Sequence, residues 1–478
     1  MQLFINPSDL SSEQKDALIL QLFERITQLE GRIKELESQR SKNSRNSSKP
    51  PSSDGLVKPK PIRKNTRGKS GKPYGGQPEH KGHTLDQVDE PDQIVEHPVN
   101  QCDQCGLDLS STPVSEVEKR QVFDIPPPPT IQVCEHRAQI KTCPCCDKRN
   151  KAIFPAQVTQ PVQYGIRIQA IATYHKQYQL LPYKCLQEYF KDVHGLHLSQ
   201  GTLRNILKRA YQHLEQFADI AKASVSSSEV VHFDETSMRV LALLHWFHVA
   251  STDTITCYFI HSGRGTQAMK EMGILDDFDG YVVHDNYPSY YKFDLYHVAC
   301  NAHHLRELIY AYEEHQQQWA QKMISFLLEA KAEIALALEQ GEMQLSDERV
   351  RYYDTRYSRI LREERHELPV LASSDVVKRG KKPQHKVKNL HDRLVKHKHE
   401  VIAFINDLKV PFDNNQAERD IRMAKARQKI SGCFRSLTGA EHFCRIRGYI
   451  STARKQQRNI FEVLSDAFES SAFDPRTG

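Results

Sequence analysis

The sequence predicts an α/β core with separate modules placed ahead of it, and three observations carry that prediction. From Ser228 onward the short apolar runs EVVHFD, LLHWFHVA and ITCYFIH follow one another closely; a helical stretch around Gln267–Leu275 and a further run, YVVHD, come next. Strands joined by tight turns and followed by a helix and another strand belong to one sheet. Ahead of them stand two Cys-x-x-Cys pairs, and ahead of those an apolar stripe at heptad spacing.

At 478 residues the chain exceeds one ordinary domain and can bury a sizeable core besides smaller modules. Its start, MQLFINPSDL, has no basic stretch leading into an apolar one, and no apolar run is long enough to span a bilayer. A cytoplasmic protein is expected. Eleven cysteines in such a chain read as thiols, and paired thiols there are metal ligands more often than disulfides. The net charge of +6 is unevenly spread: Arg40–Gly82 holds twelve Lys/Arg against two acids, and Arg419–Arg458 eleven against two. Concentrated basic segments on an otherwise acidic chain point to a polyanion, most directly nucleic acid.

In residues 12–40, Ile19, Leu22, Ile26, Leu29, Ile33 and Leu36 alternate three and four apart, which is the a/d seam of a coiled coil. A helix so polar on its other faces needs a partner, expected from a second copy of the chain, with packing on the chain's own core as the alternative. Residues 41–97 begin SKNSRNSSKPPSSDG, rich in Ser, Pro, Gly and Lys, and predict a flexible basic linker that can lie along phosphates. Residues 98–158 carry Cys102, Cys105, Cys143 and Cys146. Two such knuckles complete a tetrahedral four-sulfur zinc site, with Cys145, Cys134 and His136 as rival ligands. Between the knuckles, Pro126–Pro129 and the alternating TIQVCEHRAQI predict a strand in a long-looped zinc ribbon. Residues 160–220 turn helical, with two helices around a short turn at His194–His197. Ser199 caps the second, whose outer face offers Gln200, Arg204 and Lys208, so a helix-turn-helix DNA reader and a plain helical hairpin both fit. The α/β core is expected over 228–468, with a helical insertion at about 313–400.

Two of the core strands end alike, VVHFD at Asp234 and YVVHD at Asp285, which places both carboxylates at the rim of the sheet where open α/β sheets bind ligands. In PFDNNQAERDIR, Asp413 and Gln416 fit a capping box that starts a helix with Glu418 just over one turn in. Arg422 and Lys425 share its stripe, and Arg419, Arg427, Lys429 and Arg435 extend the basic character onward for DNA phosphates. Three carboxylates from two strands and a helix suit a pair of divalent ions about 3.5–4 Å apart. Oxygen ligands favour magnesium or manganese. Glu235 and Asp413 are the nearest substitutes within the triad, and a lone Cys300-x-x-His303 lacks the further ligands a closed zinc site needs.

Asp234-Glu235-Thr236, His284-Asp285, the run from Cys300 through His303 to Arg306, Asn414 through Glu418-Arg419, and Ile430 through Ser436 together resemble transposases of the insertion sequence 66 family. So do the linker words NSSKPPSSDG and the paired knuckles, and the likeness runs over nearly the whole chain. The resemblance implies an RNase H-like core with adjacent strands ending at Asp234 and Asp285, and a helical insertion before the helix of Glu418. It also implies terminal inverted repeats as substrate and accessory proteins encoded by the same element. The function expected is metal-dependent cleavage of phosphodiesters at element ends and transfer of the freed strand into target DNA, with two Mg2+ or Mn2+ ions and one Zn2+. The rivals are a nuclease of the same fold that does not join strands, and a zinc-containing DNA-binding protein or inactive relic.

Overall fold

The computed structural model describes residues 11–40, 86–124, 131–363, 365–369 and 384–477. They fall into two compact units, Lys58–Cys134 and the rest of the chain. The expected basic linker lies outside the described residues as far as 85, as do Pro126–Pro129 and the basic stretch 370–383.

In the smaller unit, the Cys102 amide donates to Leu107 O and the Gly106 amide to Cys102 O, both at 2.9 Å. Gly106 supplies the left-handed φ of +72° that closes this turn. Side-chain amides tie its two flanks: Gln87 Nε2 donates to Lys119 O at 3.0 Å, and Gln121 Oε1 accepts from the Val88 amide at 2.8 Å.

The larger unit begins with α1 (Ser12–Arg40), on which Ile19, Leu22, Ile26, Leu29 and Ile33 are each 49–57% exposed. The heptad seam is therefore uncovered along this helix; the Leu36 side chain is outside the described residues. The strand expected in TIQVCEHRAQI does not form over 131–139. Instead β1 (Ile140–Thr142) and β2 (Arg149–Lys151) make a small antiparallel ladder around the second knuckle. The turn's own hydrogen bonds, from the Cys143 amide to Lys148 O and the Asp147 amide to Cys143 O, set where pairing starts.

Next come α2 (Ile166–Thr173), a π-helical turn at Tyr174–Tyr178, α3 (Tyr183–His194), α4 (Gln200–His213) and α5 (Glu215–Ser226). Gly195 ends α3 at φ +64°, and Ser199 Oγ accepts from the Thr202 amide at 3.0 Å to cap α4, as the sequence predicts. Leu186, Phe190, Leu203, Ile206 and Leu207 share one core with Val231, Phe233 and Ile446. The helical region is thus packed into the sheet domain. Gln200, Arg204 and Lys208 remain exposed.

The sheet contains β3 (Val230–Val240), β4 (Leu243–Ser251), β5 (Thr256–His261), β6 (Tyr281–His284) and β7 (Tyr296–Ala299), with α6 (Thr266–Met272) between β5 and β6. Its order is β5-β4-β3-β6-β7, antiparallel among the first three and parallel from β3 through β6 to β7. Tight approach before β6 demands a residue without Cβ: at Gly280 that atom would lie 2.6 Å from Ser228 O and 2.7 Å from Glu229 O.

Helices α7 (Asn301–His315), α8 (Gln318–Glu339), α9 (Asp347–Glu363), α10 (Lys386–Lys396), α11 (Lys398–Val401) and α12 (Ala403–Asn406) follow. They gather around Trp319, Phe326, Tyr357 and Phe404, all at most 2% exposed, in a core that also takes in Val283 and Val298 of the sheet. The chain then closes with α13 (Asn415–Ser431), α14 (Leu437–Lys455) and α15 (Ile460–Phe468). Ala417, Ile421 and Ala424 of α13 pack on Met238, Val240, Phe247 and Val249. No described helix is long and apolar enough to cross a membrane.

Candidate functional site

The site lies where the parallel part of the sheet runs out. β3 does not end at Asp234, as the apolar pattern predicts; it continues to Val240, paired from His232 onward with β4, and Asp234 stands opposite Val249. What ends is the pairing with β6, which covers only Val230–His232 and in which His232 is level with Val283. Asp234 follows that last pair by two residues inside β3, and Asp285 follows it by two residues, one past the end of β6. The alternation of strand side chains puts Asp234 on the face that carries His232 and Met238. That face is covered by α13, which brings Glu418.

Burial first, then the charges of Glu235, Asp285 and Glu418, hold the Asp234 carboxyl well above the usual carboxylate range. Asp285 is likewise raised by burial, opposed by the Arg264 guanidinium and by the Tyr287 amide, which donates to Asp285 Oδ1 at 3.1 Å. Asp234 thus shares its surroundings with Glu235, Asp285 and Glu418.

Glu235 belongs to the same cluster from the opposite face of β3. Its side chain is fully buried, its Oε1 accepts from Arg264 Nε at 2.8 Å, and its Oε2 accepts from the Tyr290 hydroxyl at 3.0 Å. Burial and the Asp285 charge still push it up to about 7. Arg264 lies between the rings of Tyr287, 3.9 Å away, and Trp246, 5.0 Å away, with Nη2 3.8 Å from Asp285 Oδ2. Sequence reasoning missed Arg264, because GRGT sits in a loop whose partner strands cannot be read from its own residues.

The start of α13 differs from the expected capping box. Asn414 precedes the helix, and Gln416 reaches Ser251 Oγ at 3.3 Å; Asp413 Oδ1 accepts only from the Asn415 amide at 3.1 Å. Asn414 is buried and used as a clamp. Its Nδ2 donates to Phe233 O at 2.7 Å, its Oδ1 meets His232 Nδ1 at 2.9 Å, and its amide donates to Cys300 Sγ at 3.2 Å. One residue therefore locks the strand of Asp234, the entrance of α7 and the helix of Glu418 together. A polar residue at 1% exposure in FDNNQ is the signal, legible only once burial is known.

The Glu418 carboxylate faces α7: Oε1 lies 3.6 Å from both His303 Nδ1 and Arg306 Nη2, and Oε2 lies 3.8 Å from Arg422 Nη2. Among the described residues, one group of metal-ligating side chains has all its donor atoms within 4.8 Å, namely Cys300, His303 and Glu418. The three carboxylates of the expected triad are spread more widely than that.

The basic residues divide. Arg419, Arg422, Lys429 and Arg435 are exposed, as DNA contacts require. Lys425 is turned onto β3, where Nζ donates to Ser237 O and to Ser237 Oγ. Arg427 stacks 3.4 Å from the Phe434 ring centre and donates to Gly432 O at 2.8 Å. Both have intramolecular partners that the helical stripe did not foretell.

In each cysteine knuckle, amides within the turn lower the first thiol below its usual range: those of Cys105 and Gln104 act on Cys102, and those of Cys145 and Cys146 on Cys143. Cys102 and Cys105 belong to the smaller unit, Cys143 and Cys146 to the larger.

Residues 161–442, more than half the chain, match the family described as Transposase IS66 family. The chain belongs to that family. Residues 100–147 match the zinc-finger binding domain of transposase IS66, and residues 5–86 match a family of unknown function (DUF6444). No curated protein matches the chain. In this IS66-family transposase chain, the matched segment includes β3, β6 and all of α13, so Asp234, Asp285 and Glu418 lie within it. The zinc-finger match spans both knuckles.

Proposed function

We propose that this chain is an active DNA transposase in which Asp234, Asp285 and Glu418 hold two divalent cations, cleaving phosphodiesters at element ends and joining the freed 3′-hydroxyl to target DNA. The observation that carries the reading is that Asp234, on β3, feels the charges of both Asp285, just past β6, and Glu418, on the helix that packs over β3. Burial raises both aspartates, the neighbouring acids raise Asp234 further, and concentrated negative charge of this kind, built from oxygen donors alone, fits magnesium or manganese. When bound, such ions would activate the attacking oxygen and stabilise the leaving one. Arg264 and Tyr290 hold Glu235 so that its charge is spent inside the protein, while exposed Arg419 and Arg422 on α13 stand beside Glu418 to meet phosphates. The sheet order, with two antiparallel strands on one side of β3 and two parallel ones on the other, supports an RNase H-like core over 228–468, interrupted by α7–α12.

The test is incubation of the purified chain with Mg2+ and DNA bearing the element's terminal inverted repeats. Cleaved ends and joined products are expected together. Cleavage without joining would make the protein a nuclease, and binding with neither product would make it a DNA-binding relic.

Two further assignments belong to this reading. One Zn2+ on Cys102, Cys105, Cys143 and Cys146 would organise the module that grips the ends. Cys102→Ser is then expected to release about one zinc per chain and to weaken binding to end DNA; metal analysis with a gel-shift titration checks both. The exposed seam of α1 would pair with the same helix of a second copy, bringing two element ends together. Replacing Leu22 and Leu29 with serine is expected to reduce the oligomer to monomers in light scattering, with the circular dichroism of the core retained. An unchanged oligomer would place assembly elsewhere. Accessory proteins of the element and a nucleoid-associated cytoplasmic location complete the proposal.

A further inference from the structure

Cys300 and His303, read from sequence as an incomplete pair, acquire a third donor in the folded chain. Cys300 leaves β7 and opens α7, and His303 is nearly one turn in, so a Cys-x-x-His spacing across a helix start directs both side chains to the same side. Glu418 arrives from α13, and the Sγ, imidazole and carboxylate donor atoms lie within 4.8 Å of one another.

Two features of the group are unexplained by ordinary packing. His303 Nδ1 and Glu418 Oε1 are both shielded from solvent and neither has a hydrogen-bond partner. Such atoms are normally satisfied. Their separation of 3.6 Å is too long for a hydrogen bond. It is close to the edge of a tetrahedron whose metal–ligand bonds are about 2.0–2.1 Å, roughly 3.3 Å. The sulfur, meanwhile, accepts the Asn414 amide at 3.2 Å, an outer contact that orients a ligating thiolate and disperses its charge.

The geometry points to a single-ion site for a borderline-soft divalent cation, zinc in the first instance, on Cys300 Sγ, His303 Nδ1 and Glu418 Oε1. Water fills the fourth position. Binding releases the thiol proton to solvent, leaving one thiolate and one carboxylate to balance the two positive charges of the ion. Arg306, 3.6 Å from Glu418 Oε1, then faces a neutral centre. A thiolate excludes magnesium as occupant. The consequence rests on the triad assignment proposed above: an ion holding Glu418 Oε1 withdraws that carboxylate from the magnesium site, so zinc inhibits cleavage in competition with magnesium.

The experiment uses the full chain, loaded with zinc and dialysed. The wild type is expected to retain one equivalent beyond that of the cysteine knuckles. Cys300→Ser and His303→Ala should each lose that equivalent alone, and Cys102→Ser should lose only the other. Circular dichroism identifies any variant that fails to fold, and the half-buried His303 provides the milder of the two changes. Equal zinc in wild type, Cys300→Ser and His303→Ala, all folded, overturns the site. In the second arm zinc is titrated into the magnesium reaction, and each protein is compared with itself without zinc. Inhibition relieved by added magnesium is expected in the wild type and not in Cys300→Ser. Inhibition equal in both proteins overturns the competition. A chain that holds the extra zinc yet never cleaves DNA would instead count against the transposase reading, which the zinc measurement does not require.

Discussion

Asp234→Asn, Asp285→Asn and Glu418→Gln are each expected to lower DNA cleavage and strand joining by roughly a thousandfold or more, while binding to end DNA without divalent metal stays near wild type. Each change keeps side-chain size and removes one negative charge from the site. Both aspartates are already held above their usual range by burial, and Asp234 also by the charge of Asp285, so neutralising one of them leaves the fold intact. What is lost is the charge that would hold the cations. On the proposed reading DNA is bound by the exposed cations of α13 and the amino-terminal modules, which these substitutions leave in place. Asp413→Asn is the suitable control, because Asp413 only caps the Asn415 amide and pairs with Lys331 at 3.6 Å. Glu235→Gln is not a control, since Glu235 is part of the buried cluster. A triad variant that cuts and joins at the wild-type rate, measured on labelled end DNA with Mg2+, would remove its carboxylate from the assignment.

Arg264→Ala is expected to destabilise the protein by about 3 kcal/mol in chemical denaturation. The guanidinium is the cationic partner of Glu235, whose side chain is fully buried, and it is the one charge shown to oppose the upward shift of Asp285 and Glu235 together. Removing it leaves a desolvated carboxylate facing Asp285, with only the Tyr290 hydroxyl to satisfy it. The loss is moderated because Glu235, already pushed up to about 7, can take up a proton instead. Glu235→Gln in the same background should therefore recover part of the stability, by removing the charge that Arg264 had balanced. An Arg264→Ala protein that unfolds at the wild-type denaturant concentration would show that the pair contributes nothing net.

Asp285 was readable at its place because YVVHD is a short buried strand whose end coincides with the end of its apolar run. Asp234 was placed at a strand end for the wrong local reason: polar DETS looks like a turn, yet the strand continues because β4 supplies hydrogen-bond partners from His232 through Val240. Pairing of that kind is invisible to an apolar count. In the zinc module the alternating TIQVCEHRAQI had the period of a strand, but the short ladder starts only at Ile140, beside the knuckle turn that fixes its register. The Ser199 cap, by contrast, was legible because a cap is a contact over three residues.

By itself the sequence determined everything that local chemistry dictates. It set the two knuckles, the turn at His194–His197, the heptad stripe of α1, and the kinds of side chain available to bind metal and phosphate. Only the tertiary structure decided which of those groups meet. It set the strand of Asp234 beside the strand that leads to Asp285, turned Lys425 and Arg427 inward, and brought Asn414 to Cys300 across 114 residues of chain. The physical reason is range: side-chain periods of two and 3.6 residues fix which face a group occupies, whereas contacts over such separations depend on how whole elements pack. Here that packing is the close fit of α13 over β3 and β4, with Asn414 pinning its first turn to the strand.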